Sequence, residues 1–283
     1  MFYPLVILNV VLMIVLPILL AAQIQRWRQP GWGLFGIGAV TFIVSQIFHI
    51  PFNGLIERSD LLPDAQQGGG LIIVALFYGF SAGLFEEVAR YITFSRWAAK
   101  ARSWGQGLML GAGHGGIEAI ILGCLGVIQV LNIYLIRSGS VPTDQISADQ
   151  LALINQQIDS LLALPWYNLI LGAVERLFAL TCHLALSLLV MQCFVRGQRR
   201  WLWLAVGWHA FLDAVAVFGL IRFGPLTTEG LIGLVALLSL GIIFWLRSPE
   251  PVEMALEPLP EVGPAGPLNL EITADSLDNS KYN

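Results

Sequence analysis

The chain has 283 residues, 56% of them hydrophobic and only 12% charged, with a formal net charge of −4. Soluble domains carry about 25% charged residues, so this composition excludes a soluble globular protein. With no basic patch suited to a phosphate backbone, it also excludes nucleic acid as a partner.

Seven stretches reach the ~20 apolar residues that a membrane span needs: residues 4–25, 31–53, 71–95, 105–136, 166–195, 201–223 and 230–247. The expected fold class is all-α, a polytopic transmembrane helix bundle occupying residues 1–247, with the lipid bilayer as its surroundings. The first stretch carries its positive charges, Arg26 and Arg28, after the apolar run. A cleaved signal peptide has the reverse order, so this stretch reads as the first span. A glycine-rich joint at 66–70 leads into the third. Between the fourth and fifth, residues 146–164 are amphipathic and predict a short surface helix, a cap on the bundle rather than a lid. From Ser248 the chain becomes proline-rich and acidic, which predicts a disordered tail over 248–283. The cysteines Cys124, Cys182 and Cys193 fall in apolar stretches at spacings that suit neither a zinc site nor a disulfide framework.

Basic residues gather on one side of the spans: Arg26 and Arg28, then Arg96, Lys100 and Arg102, then Arg196, Arg199 and Arg200, then Arg247. The opposite loops hold Arg58, Arg137 and Arg222 against a larger number of acids. The positive-inside rule then places this protein in the cell membrane as a multi-pass protein, N-terminus external and C-terminus cytoplasmic.

Four spans are interrupted by ionisable groups: FEEVAR from Phe85, GHGGIEA from Gly113, ERLFALTCH from Glu175 and HAFLD from His209. Each such group costs roughly 2.5–3.5 kcal/mol at bilayer depth, so a cluster needs compensation and commonly a function. Counting 1.5 Å of rise per residue puts Glu86, Glu87, His114, His183 and His209 on one level, roughly 12–18 Å from the cytoplasmic boundary. Glu118, Glu175 and Asp213 form a second, deeper tier. His114 with Glu118, His209 with Asp213, and Glu86 with Arg90 are i,i+4 pairs and share helix faces. The glycines around His114 clear space for close helix approach.

Carboxylates beside imidazoles suit hydrolysis. Two neighbouring glutamates do not both ionise easily, so one can serve as acid or base. Such a base would activate water against a peptide carbonyl, with a histidine stabilising the oxyanion and Asp213 orienting His209. Against this stands a plainer reading, in which Glu87 with Arg90 and Glu175 with Arg176 simply hold the helices together. His49, in the second span, reads as a core histidine or as a supporting one.

Phe85-Glu86-Glu87 with Arg90, His114 with Glu118, and His209 with Asp213 resemble the glutamic-type intramembrane proteases, including the CAAX-protease and bacteriocin-processing group and the PrsW proteases. With GHGGIEA and ERLFALTCH added, the chain looks most like the YhfC family of intramembrane peptidases. Only Val88 and Ala89 separate the glutamate pair from the arginine, and Asp213 stands where the CAAX pattern commonly has asparagine. A prenylated substrate is therefore not implied. The resemblance implies an endopeptidase acting on membrane proteins or peptides. Glu86 or Glu87 would be the base and His114 would support the activated water. His209 and Asp213 would stabilise the oxyanion, supported by Arg90, Glu118, Glu175, His183 and His49. No HExxH occurs, so metal-independent chemistry without a cofactor is expected ahead of a zinc site at His114, His183 and His209. The site is expected to open toward the cytoplasm. The competing classes are a proton-coupled transporter, which uses the same residue types, and a non-catalytic scaffold.

Overall fold

In a computed structural model, residues 2–66, 69–140 and 147–248 are described. They form an all-α bundle with seven helices long and apolar enough to cross a membrane: α1 (Phe2–Arg28), α2 (Trp32–Arg58), α3 (Gly70–Ser95), α4 (Trp104–Arg137), α6 (Leu171–Val195), α7 (Arg200–Phe223) and α8 (Pro225–Trp245). The exception is α5 (Ala148–Leu162), the amphipathic connection, which begins with a capping box between Ser147 and Gln150. A 3-10 turn, Trp166–Ile170, leads into α6. The tail expected at 248–283 lies outside the described residues apart from Ser248, as do Gln67 and Gly68 of the expected joint.

The last helix starts at Pro225, five residues before the hydropathy boundary. Gly224, at φ 78, turns the chain and Pro225 supplies a ready-made first helical residue. Ser103 and Gln106 form a second capping box, at the start of α4.

Helix α6 is the central post, packed against α1, α3, α4, α7 and α8. Its polar residues Arg176, His183, Ser187 and Gln192 are therefore inside the protein, whereas side chains such as Phe48, Leu55 and Leu237 point outward. Two glycine stripes bring the neighbours close. A Cβ on Gly79 would collide with the Ala210 carbonyl oxygen, and one on Gly83 would lie 2.7 Å from the Val206 oxygen, so α3 and α7 touch backbone to backbone. On α4, a Cβ on Gly111 would lie 2.7 Å from the His183 oxygen, and one on Gly115 2.6 Å from the His183 ring. These approaches deliver three histidines and two glutamates to one point.

The main apolar core fills the half of the bundle toward the basic loops, with Phe94, Trp104, Met109, Leu188, Met191 and Trp201 all buried. The polar cluster sits on the far side of this plug.

Candidate active site

The interrupted spans meet in one connected network. From α3, Glu87 forms a buried ion pair with Arg90 and accepts a 2.7 Å hydrogen bond from His209 Nδ1 on α7. Arg90 Nη2 lies 3.2 Å from His183 Nδ1 on α6. His183 Nε2 is 2.8 Å from Glu118 Oε2 on α4, and Glu118 Oε1 accepts from Arg176 Nη1 at 2.5 Å. Arg176 also donates to Glu175. Glu86 lies at the centre: its Oε2 is 3.0 Å from His114 Nε2 and 3.9 Å from His209 Nε2. All the residues singled out on the four interrupted spans are thus brought together, and the two expected tiers are contiguous through His183 and Glu118.

Several pairings differ from those that spacing alone predicts. Arg90 pairs with Glu87 at i,i+3 rather than with Glu86 at i,i+4. Asp213 Oδ2 is 3.7 Å from His209 Nε2, too long for a hydrogen bond. His209 is oriented instead by the hydrogen bond it donates to Glu87. His114 and Glu118 share a face but serve different partners, Glu86 and His183. Rotamers decide these contacts, because each side chain has several neighbours within reach.

His49 does more than fill the core. Its ring stacks on Phe85 at 5.5 Å and bonds to Gln46, Asn53 and Ser81. Gln46 in turn donates from Nε2 to Glu86 Oε1 at 2.8 Å. Sequence reasoning passed over Gln46. Its signal was a single amide in an apolar run, one helical turn before His49.

Glu86, Glu118, Glu175, His183, His209 and Asp213 line a cavity of about 80 Å³, room for several waters. Glu175 also lines a larger space of about 350 Å³, bounded by Asn168, Pro225 and Glu229. Exposure rises in the same direction, from 7% for the Glu86 side chain to 35% for Asp213 and 38% for Glu175. The way in therefore runs toward the acidic loops. The expected opening toward the basic loops is closed by the Phe94–Trp104–Trp201 plug, because the largest apolar side chains pack in that half.

The donor set suits a metal ion. Glu86, His114 and His183 each offer one atom, all within 4.8 Å of one another. This cluster takes Glu86 where His209 was expected beside His114 and His183. His183 and His209 each bond to a carboxylate through one ring nitrogen, the arrangement that orients metal-binding imidazoles. Among the described residues, the carboxylates Glu86, Glu87, Glu118, Glu175 and Asp213 have Arg90 and Arg176 as their arginine partners, beside His114, His183 and His209. With neutral imidazoles that leaves an excess of negative charge, which a divalent cation offsets. His114 Nδ1 and Glu87 Oε2 are buried with no protein partner among the described residues, as expected where water or an ion completes a site.

The family model described as "YhfC intramembrane metalloprotease" matches residues 12–236. A relative in Bacillus subtilis (strain 168), the "Uncharacterized membrane protein YhfC", is 29% identical over 241 residues, covering 82% of this chain and 90% of its own. No solved structure matches the chain.

These findings overturn the expected metal-independent, glutamic-type mechanism. The family is described as a metalloprotease, and the buried Glu86/His114/His183 cluster can hold a metal ion. The absence of HExxH misled because that motif places two ligands on one helix, whereas the donors of this cluster come one each from α3, α4 and α6.

Proposed function

The chain belongs to the YhfC family, and from that premise we propose a zinc-dependent intramembrane endopeptidase that cleaves membrane proteins or peptides. The observation that carries this reading is the convergence of Glu86, His114 and His183 from three helices, beside a cavity that reaches the acidic-loop end. Glu86, His114 and His183 would hold the ion, with the His183 nitrogen that faces Arg90 released from that contact. A divalent cation there supplies Lewis-acid chemistry, polarising a carbonyl and making water nucleophilic near neutral pH.

The protein's own groups then divide the work. Glu87 is fully buried and its Oε1 is engaged by both Arg90 and His209, so its role is to orient His209. Glu118 and Glu175 are tied to Arg176. Asp213 lines the cavity with its carboxylate free of short hydrogen bonds among the described residues. It is therefore the group that accepts the proton of the attacking water and returns it to the leaving amine nitrogen. His209 has Nδ1 committed to Glu87, leaving Nε2 to meet the substrate carbonyl. Arg90 and His49 support these groups from behind.

By the positive-inside rule, the N-terminus and the cavity mouth face outside and the tail over 248–283 lies in the cytoplasm. The one-sided cavity and the family description favour hydrolysis over transport.

The test uses the full chain, purified in detergent, and a membrane-anchored reporter. Cleavage should be lost with a strong chelator, restored by zinc, and abolished in Glu86→Gln, His114→Ala and His183→Ala. Chelator-resistant cleavage, or full activity in Glu86→Gln, would overturn the proposal.

A further inference from the structure

Apart from the supporting place given to His49, the polar groups of α2 are unused by the chemistry above. Gln46, His49 and Asn53 follow at i, i+3 and i+7, so they share one face, and that face looks at α3. Gln46 Nε2 donates to Glu86 Oε1 at 2.8 Å, while Gln46 Oε1 lies 3.3 Å from His49 Nδ1. At its other nitrogen, His49 Nε2 lies 3.0 Å from Asn53 Nδ2 and 3.2 Å from Ser81 Oγ. His49 is itself buried and clamped by the Phe85 ring, next in sequence to Glu86.

The direction of these contacts is set at the Glu86 end. A carboxylate oxygen only accepts, so the Gln46 NH₂ end faces it and Gln46 Oε1 is left to accept from His49 Nδ1, with His49 Nε2 accepting from Asn53 Nδ2. The neutral ring then carries its hydrogen on Nδ1. The single Ser81 hydroxyl hydrogen then serves either the Tyr78 carbonyl at 3.1 Å or His49 Nε2 at 3.2 Å, not both. A chain of Asn53 to His49 to Gln46 to Glu86 therefore runs in one direction, ending on the carboxylate that can only accept.

The consequence falls on one carboxylate. With Oε1 held by the Gln46 N–H, Glu86 presents Oε2 alone toward His114 and His209. We propose that Gln46 is a positioning residue, held by His49 and Asn53, that makes Glu86 a one-oxygen ligand and sets the affinity of the site for its metal. The inference rests on the metal-site reading above and adds a residue to it. A flipped amide would bring the Gln46 carbonyl oxygen against a carboxylate oxygen, a contact without a hydrogen between them; the α2 chain prevents that flip.

The experiment is zinc competition against a chromogenic chelator, on the full chain in detergent, with the visible spectrum of the cobalt-substituted protein as a second readout. Gln46→Leu should weaken zinc binding about 10–100-fold, the usual cost of removing an outer partner of a metal ligand, and should alter the cobalt spectrum. Asn53→Leu, which removes only the far end of the chain, should shift both in the same direction by less. Gln46→Met keeps length and volume and removes the donor without adding charge, so it serves if the leucine variant does not fold. It too should bind zinc more weakly. Folded Gln46→Leu or Gln46→Met protein with affinity within about twofold of wild type and an unchanged spectrum would overturn the proposal. Glu86→Gln separates the two levels. If it leaves zinc affinity unchanged, the ligand assignment itself is wrong; if it weakens binding while the Gln46 variants do not, only the positioning role falls.

Discussion

Glu87 and His209 meet across α3 and α7 through a 2.7 Å hydrogen bond from His209 Nδ1, at the same carboxylate oxygen that pairs with Arg90. This one oxygen couples an ion pair to the orientation of a histidine. It also sorts the adjacent glutamates: Glu87 is locked inward, whereas Glu86 lines the cavity.

Glu87 is therefore expected to matter first for stability. Glu87→Ala leaves the Arg90 guanidinium buried without its carboxylate, and breaking such a pair costs about 3–5 kcal/mol. Thermal unfolding in detergent should show a large fall in midpoint. A wild-type midpoint would place Arg90 in some other compensating contact.

Asp213 should behave in the opposite way. Its side chain is 35% exposed and makes no short hydrogen bond among the described residues, so Asp213→Asn should fold normally and keep its zinc. Activity should fall by about 10²–10⁴, as when a general base is lost. Reporter cleavage measured beside metal content checks this; retained cleavage returns the base assignment to another carboxylate.

The glycine contacts give a packing prediction. Gly79→Leu forces α3 away from the Ala210 carbonyl, and Gly115→Val drives a side chain into the His183 ring. Overpacking of this kind typically costs about 1–3 kcal/mol or more. Gly36→Leu, where a Cβ meets nothing within 4 Å, is the control. Unfolding midpoints should rank the first two well below the third, and Gly115→Val should also lose zinc.

Metal and stability should be linked. A ligand that binds only the folded state stabilises it by about 2.7 kcal/mol at a hundred times its dissociation constant. Zinc should raise the unfolding midpoint of the wild type and a chelator should lower it, while His114→Ala should respond to neither. A zinc shift that survives in His114→Ala would point to a different site.

The mouth of the cavity offers a test of orientation. Glu229 borders the larger space at the acidic-loop end. A Glu229→Cys variant should react with a membrane-impermeant maleimide added outside intact cells. Labelling only after the membrane is broken would reverse the assigned topology.

Much of this was legible along the chain. Hydropathy alone marks seven spans, because a helix that crosses lipid must be apolar for about 20 residues whatever it packs against. The same rule exposes FEEVAR, GHGGIEA, ERLFALTCH and HAFLD, since ionisable groups are tolerated at that depth only where partners await them. Rise per residue even predicts that Glu86, His114, His183 and His209 share a level. The partners themselves were not legible. Spacing offered Arg90 to Glu86 and Asp213 to His209, and the packed protein gave Arg90 and His209 to Glu87 instead. Gln46 escaped notice because an amide in an apolar helix gains meaning only from what it faces.

The amino-acid sequence by itself determined the all-α membrane bundle, the helices that carry the polar groups and the depth at which those groups lie. These follow from local periodicity and from the cost of charge in hydrocarbon. Which carboxylate is buried and which meets the cavity, the three-helix cluster able to hold a metal ion, and the end toward which the cavity runs were decided only by tertiary structure. Those outcomes depend on side chains from α2, α3, α4, α6 and α7 competing for the same few ångströms, and no single helix contains that competition.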